Sequence, residues 1–178
     1  MDMNKQIIRA FIISGCIINF VMALTVAQAN PYKKQNKIGI IYWHGDSAQK
    51  KIALTFDDGP QALYTPQILD ILKKYHIKAT FFLIGKNVEA FPEVAKRIVQ
   101  EGHCIGNHTY SHPDLVLKSK NQIRLQLEKA EEAIYKATGV KPYLFRPPYG
   151  ADNHWVSLEA EDLGYVIIEW SASGLNGR

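Results

Sequence analysis

Short apolar runs alternate with stretches of helical periodicity along this chain, and nothing else in it limits the fold as much. Six runs are short enough for strands: residues 38–43, 51–56, 79–84, 103–107, 143–145 and 165–170. They are apolar through most of their length, the pattern of strands buried on both faces. Helical signals fall between them. Thr65 and Pro66 read as an N-cap and a first helical residue, with Ile68, Leu69, Ile71, Leu72 and Tyr75 on the apolar side. Pro92 opens a second helix with Val94, Ala95, Ile98 and Val99 apolar, and Gly102 is placed to end it. Ser119 and Gln122 fit a capping box for a helix reaching Thr138. In it Ile123, Leu127, Ala130 and Ile134 keep helical spacing, and Gly139 follows. Residues 153–162 read as a further helix. This alternation predicts an α/β fold, a parallel sheet covered by helices and either open or curled into a barrel. Side chains that do chemistry then gather at the carboxyl ends of the strands. Asp57 and Asp58 follow the run at 51–56, His108 and His112 the run at 103–107, and Arg146 the run at 143–145.

The 178 residues allow one domain behind a leader. Residues 1–29 carry Lys5 and Arg9, then an uncharged apolar run from Phe11 to Leu24, then Ala27-Gln28-Ala29. That is the order of a bacterial signal peptide, with cleavage expected after Ala29 and a secreted or cell-envelope destination. The run is shorter than the roughly 20 apolar residues of a spanning helix, so the membrane is met only through this segment if it stays uncleaved. Residues 30–49 read as a linker and a first short strand. Cys16 leaves with the signal, and Cys104 is expected as a lone, buried small hydrophobe. Without residues 1–29 the chain keeps 19 basic and 16 acidic residues, a weak positive balance. No lysine- or arginine-rich run with interleaved aromatics points to nucleic acid, and no stable protein partner is expected.

The strand ends supply the chemistry. Two adjacent carboxylates before Gly59-Pro60 are costly in a buried setting without a partner. A solvated turn is the plain alternative. His108 and His112 are four residues apart, so in a helix or turn both imidazoles face one way. Two imidazoles and one carboxylate form a common catalytic zinc set with one position left open. Adjacent aspartates leave the chain in different directions. One of them is free to ligate a cation while the other serves as a general base on water, and Arg146 supplies a cation to orient that base.

Thr55-Phe56-Asp57-Asp58-Gly59-Pro60, His108-Thr109-Tyr110-Ser111-His112-Pro113 and Arg146-Pro147-Pro148-Tyr149-Gly150 together resemble, in order and interval, the first three motifs of the polysaccharide deacetylase family. This is the NodB-homology domain of carbohydrate esterase family 4, and the resemblance covers about residues 38–170. It implies a distorted, incomplete TIM-like (β/α) barrel and metal-dependent removal of N-acetyl, sometimes O-acetyl, groups from sugars. By motif position Asp57 resembles the general base and Arg146 the residue that holds it. Asp58, His108 and His112 resemble the ligands of a divalent metal, usually zinc, with cobalt, nickel or manganese as alternatives. The backbone near Tyr149 resembles part of an oxyanion site, and Pro148 and Tyr149 resemble the lining of the substrate groove.

The family pattern has two more motifs. Asn176-Gly177 stands about where an Asp-Trp pair is expected, and no Leu-x-His follows Arg146. His154 lies on the wrong element to replace that histidine. The expectation is a catalytic domain over 50–178 that lacks its last strands. The expected reaction is hydrolysis of N-acetyl groups by a metal-activated water, with peptidoglycan N-acetylglucosamine as the first substrate class. Chitin oligosaccharide or xylan is an alternative substrate, and so is a truncated remnant that binds metal or glycan without turnover. The expected partner is an acetylated cell-wall or chitin-like polysaccharide.

Overall fold

The computed structural model describes residues 41–172. The signal segment, the linker from residue 30 to 40 and Asn176-Gly177 lie outside the described residues. Six parallel strands form one sheet: β1 (Ile41–Tyr42), β2 (Thr55–Gly59), β3 (Thr80–Leu83), β4 (Cys104–Asn107), β5 (Leu144–Phe145) and β6 (Val166–Ile168). Their order is β1-β6-β5-β4-β3-β2, and every pairing is parallel. Five helices connect them: α1 (Tyr64–Lys74), α2 (Gly85–Ala90), α3 (Pro92–Gln100), α4 (Lys120–Thr138) and α5 (His154–Asp162). This is the α/β arrangement of an incomplete barrel. No described helix is long and apolar enough to cross a membrane.

Two apolar clusters join the helices to the sheet. Phe81, Leu83 and Ile105 pack with Leu69 and Leu72 of α1, Ile98 of α3 and Ile134 of α4. Phe145 and Ile167 pack with Ile123 and Leu127 of α4 and Val156 and Ala160 of α5. Helix α4 serves both clusters, which is why its stripe of Ile123, Leu127, Ala130 and Ile134 is fully buried. Its ends are built as expected. The Ser119 hydroxyl accepts from the Gln122 backbone, Gln122 reaches back to Ser119, and Gly139 closes the helix at φ 73°.

Several local expectations change. Helix α1 starts at Tyr64 with Leu63 as its cap, and Thr65 is buried inside the first turn, where its hydroxyl accepts from the Gln61 backbone. Pro66 is tolerated there because the first four N–H groups of a helix have no internal partner. Ile71 and Tyr75 are exposed, so the packed stripe is Thr65, Leu69 and Leu72 with Ile68 partly buried beside them. Gly85, expected only to stop a strand, opens α2. A Cβ on it would lie 2.9 Å from the Ala130 backbone, so glycine lets α2 approach α4 closely. Cys104 is half-buried in β4.

The largest departure is at β2. The strand begins at Thr55 and includes both aspartates, while Ile52 is 90% exposed. β2 is an edge of the sheet, so the residues before Thr55 have a neighbour on one side only: the Leu54 carbonyl accepts from the Thr80 N–H. The pairing runs Phe56 with Phe81 and then Gly59 with Leu83, three steps against two, which is a bulge of one residue.

Gly106 sits at the centre of the sheet. A Cβ there would lie 2.4 Å from the Phe82 ring and 3.3 Å from the Leu144 carbonyl. Gly106→Ala is therefore expected to destabilise the fold by about 1–3 kcal/mol through overpacking. Denaturant unfolding midpoints of the two proteins measure this, and an unchanged midpoint would contradict the tight approach.

Candidate active site

The β2 bulge separates the two carboxylates. Asp58 adopts φ 64°, a left-handed conformation that aspartate tolerates better than most residues. Asn87 of α2 donates to the Asp58 carbonyl at 2.8 Å and fixes that turn. Asp58 then faces the loop after β4, and Asp57 faces Arg146.

The loop from His108 to His112 is not helical; it turns through Thr109 at φ 67° and His112 at φ 57°. A β-branched residue at positive φ is strained and needs support from its surroundings. Asn107 provides much of it. Its side-chain oxygen accepts from the Thr109 N–H, and its amide donates to the Leu127 carbonyl and the Tyr165 hydroxyl. The Thr109 hydroxyl accepts from the His112 N–H at 3.0 Å. Gln126 of α4 accepts from the Tyr110 and Ser111 N–H groups, and the first N–H groups of α2 hold the Thr109 and Tyr110 carbonyls. The two imidazoles consequently meet edge to face, 4.9 Å between centroids.

Asp58, His108 and His112 converge. Asp58 Oδ1 lies 3.5 Å from His108 Nε2 and 3.2 Å from His112 Nε2. Among the described residues these three form the group whose ligand atoms, all within 4.8 Å of one another, could hold a metal ion. His108 is buried, and its Nδ1–H donates to the Arg146 carbonyl at 2.7 Å. That bond puts the proton on Nδ1 and leaves the Nε2 lone pair toward the cluster.

Arg146 is a hub beside this cluster, only 1% exposed. Its Nη1 donates to Asp57 Oδ1 at 2.7 Å and to the Thr55 hydroxyl at 2.8 Å. Its Nε donates to the Ile168 carbonyl at 2.9 Å and its Nη2 to the Glu169 carbonyl at 3.0 Å. The guanidinium lies over the Phe82 ring, 4.1 Å from the centroid. A buried cation so fully bonded is a fixed charge, and Asp57 is the carboxylate it pairs with. Asp57 itself is partly open to solvent.

The next turn carries Tyr149 at φ 64°. Tyr149 is exposed and packs edge-on against His112, 4.7 Å between centroids, while Pro148 is buried beneath it. Of five non-glycine residues with positive φ among those described, four stand in this site: Asp58, Thr109, His112 and Tyr149.

Comparison with known proteins agrees with this geometry. The sequence profile of the family described as polysaccharide deacetylase matches residues 44–168. The chain belongs to the polysaccharide deacetylase family. It is 46% identical over 134 residues to a peptidoglycan-N-acetylglucosamine deacetylase of Bacillus cereus, covering 75% of this chain and 49% of that one. Among solved structures, a peptidoglycan N-acetylglucosamine deacetylase in complex with 4-naphthalen-1-yl-N-oxidanyl-benzamide superposes with a TM-score of 0.72 at 44% identity, covering 74% of this chain and 61% of that one. A CE4 family pseudoenzyme from Bacillus anthracis superposes with a TM-score of 0.72 at 36% identity, over 76% of this chain and 48% of that one. This polysaccharide deacetylase chain spans about half the length of the curated relatives it matches.

All seven site residues singled out in the sequence lie within this polysaccharide deacetylase profile, and the structure brings six of them to one rim; Pro148 sits below it. Sequence reasoning missed Asn87, Asn107, Gln126 and Glu169. None belongs to a local motif. The one available signal was a polar residue in an apolar run, Asn107 closing one and Glu169 next to the end of another.

Proposed function

We propose that this chain hydrolyses N-acetyl groups of a polysaccharide, with peptidoglycan N-acetylglucosamine as the substrate class, and that Asp58, His108 and His112 hold a divalent metal, zinc first. The observation that carries the reading is the pairing of that donor cluster with the Asp57–Arg146 couple at one rim. Ligand atoms bound tetrahedrally at about 2.0–2.1 Å stand about 3.3 Å apart. The 3.2 and 3.5 Å separations from Asp58 Oδ1 match that spacing. The mixed carboxylate–imidazole set suits zinc, and cobalt, nickel or manganese accept the same donors. A divalent cation supplies Lewis acidity toward water and an amide carbonyl.

The chain's own residues do the rest. Asp57, fixed by Arg146 and partly open to solvent, takes a proton from the attacking water and returns it to the amide nitrogen as the C–N bond breaks, so that acetate and the free amine leave. His108, tied to the Arg146 carbonyl, keeps its Nε2 toward the cluster. The backbone at the left-handed Tyr149 donates to the developing oxyanion, and the exposed Tyr149 ring offers a face to the sugar. Secretion behind a cleaved signal peptide would bring the chain to cell-wall glycan.

Acetate release from peptidoglycan, chitin oligosaccharide and xylan by the 178-residue chain tests this reading. Chelation is expected to abolish release and added zinc to restore it. His108→Ala is expected to lower bound metal well below one per chain. Stoichiometric metal without acetate from any of these glycans would overturn the enzymatic reading. That outcome would favour binding without turnover, a second reading supported by the likeness to the CE4 pseudoenzyme.

A further inference from the structure

Glu169 follows β6 and is 3% exposed, yet among the described residues neither of its carboxylate oxygens has a hydrogen-bond partner. Buried polar atoms are nearly always bonded, and a buried, unbonded carboxylate is strongly disfavoured. What surrounds it belongs to the site. Its own carbonyl and that of Ile168 receive two of the Arg146 donors. Its Oε2 lies 3.5 Å from where a Cβ of Gly150 would stand, directly against the turn that carries Tyr149. On the same segment Asp152 has one buried oxygen without a partner, and its other oxygen accepts from the Ser157 hydroxyl at 2.7 Å.

We propose that Glu169 is a positioning residue, acting through Arg146 and the Tyr149–Gly150 turn, with its carboxyl protonated in the working arrangement. This rests on the reading of Asp57 and Arg146 given above. A neutral Glu169 leaves the guanidinium charge directed at Asp57 alone. An ionised Glu169 competes for that guanidinium and repels both Asp57 and Asp152, which loosens the turn under Tyr149. The titratable groups near Glu169 are Arg146, Asp152, Asp57 and His108. Burial is the largest influence. Asp152 and Asp57 add to it, Arg146 opposes it, and the carboxyl is pushed up to about 7.

Folded Glu169 keeps its proton up to about pH 7, while the unfolded group releases it near the ordinary value of 4.5. The folded chain binds more protons across that window, so stability falls as pH rises through it. Glu169→Gln keeps shape and neutrality. Its thermal midpoint is expected to match the parent at pH 4.5 and to exceed it by several degrees at pH 8. Its acetate-release profile is expected to lose the decline that the parent shows above pH 7. Thermal midpoints that run parallel from pH 4.5 to 8 would overturn the proposal, and so would superimposable rate profiles. Carboxyl-carbon NMR titration of the unmodified chain needs no variant: a Glu169 midpoint near 7 supports the proposal, and one in the ordinary carboxylate range sinks it. If the chain releases no acetate at any pH, the deacetylase reading fails, while the thermal and NMR measurements still decide the protonation of Glu169.

Discussion

Asp57→Asn is expected to lower acetate release by about 10²- to 10⁴-fold, the usual contribution of a general base. The amide has nearly the shape of the carboxylate, and its oxygen can still accept the 2.7 Å bond from Arg146. It cannot take a proton. Asp57 stands outside the donor group of Asp58, His108 and His112, so metal content should stay at the parent value. Rate and bound metal measured on the same preparation check both halves. Loss of metal in step with rate would assign Asp57 to the ligand set. An unchanged rate with metal bound would remove it from the chemistry.

Arg146→Lys keeps the positive charge and loses the geometry. Four bonds leave three different nitrogens of one planar group, toward Thr55, Asp57, Ile168 and Glu169. An ammonium gathers its donors at one point and cannot reach the two carbonyls and the β2 side chains together. Buried acceptors are then left unpaired at about 1–3 kcal/mol each. A total loss of about 3 kcal/mol is expected, which lowers the melting temperature of a chain this size by about 6–12 °C. Activity should fall at least as far as in Asp57→Asn, because the base loses the partner that fixes it. A melting temperature within about a degree of the parent would show that these bonds do not hold the site.

Strand and helix succession was legible because each element carries its own signal: apolar runs for β3 and β4, the Ser119–Gln122 box and Gly139 for α4. The donor set was legible for a different reason. Asp57, Asp58, His108, His112 and Arg146 lie at strand ends, where parallel topology brings distant residues together. The local path of the chain was not legible. Nothing in Phe56-Asp57-Asp58-Gly59 announces a bulge, since the register depends on β3. The left-handed turns at Thr109 and His112 depend on Asn107 and Gln126, which are joined to them only in the fold. α2 was hidden because Gly85 is an ordinary strand stop locally, and its role is set by Ala130 on another helix. Ile52 was misread because an apolar run does not reveal that it borders a sheet edge.

Arg146 has a consequence for how this domain comes apart. It stands at the end of β5, yet it holds Thr55 and Asp57 of β2 across the sheet and the carbonyls of Ile168 and Glu169 at the end of β6 beside it. A single side chain thus acts as a drawstring across the mouth of the open barrel, where no ladder joins β2 to β6 among the described residues. β2 cannot peel from the mouth without untying Asp57. Opening of this edge and dismantling of the proposed base are one event, so the first step of unfolding and the loss of the proposed chemistry should coincide.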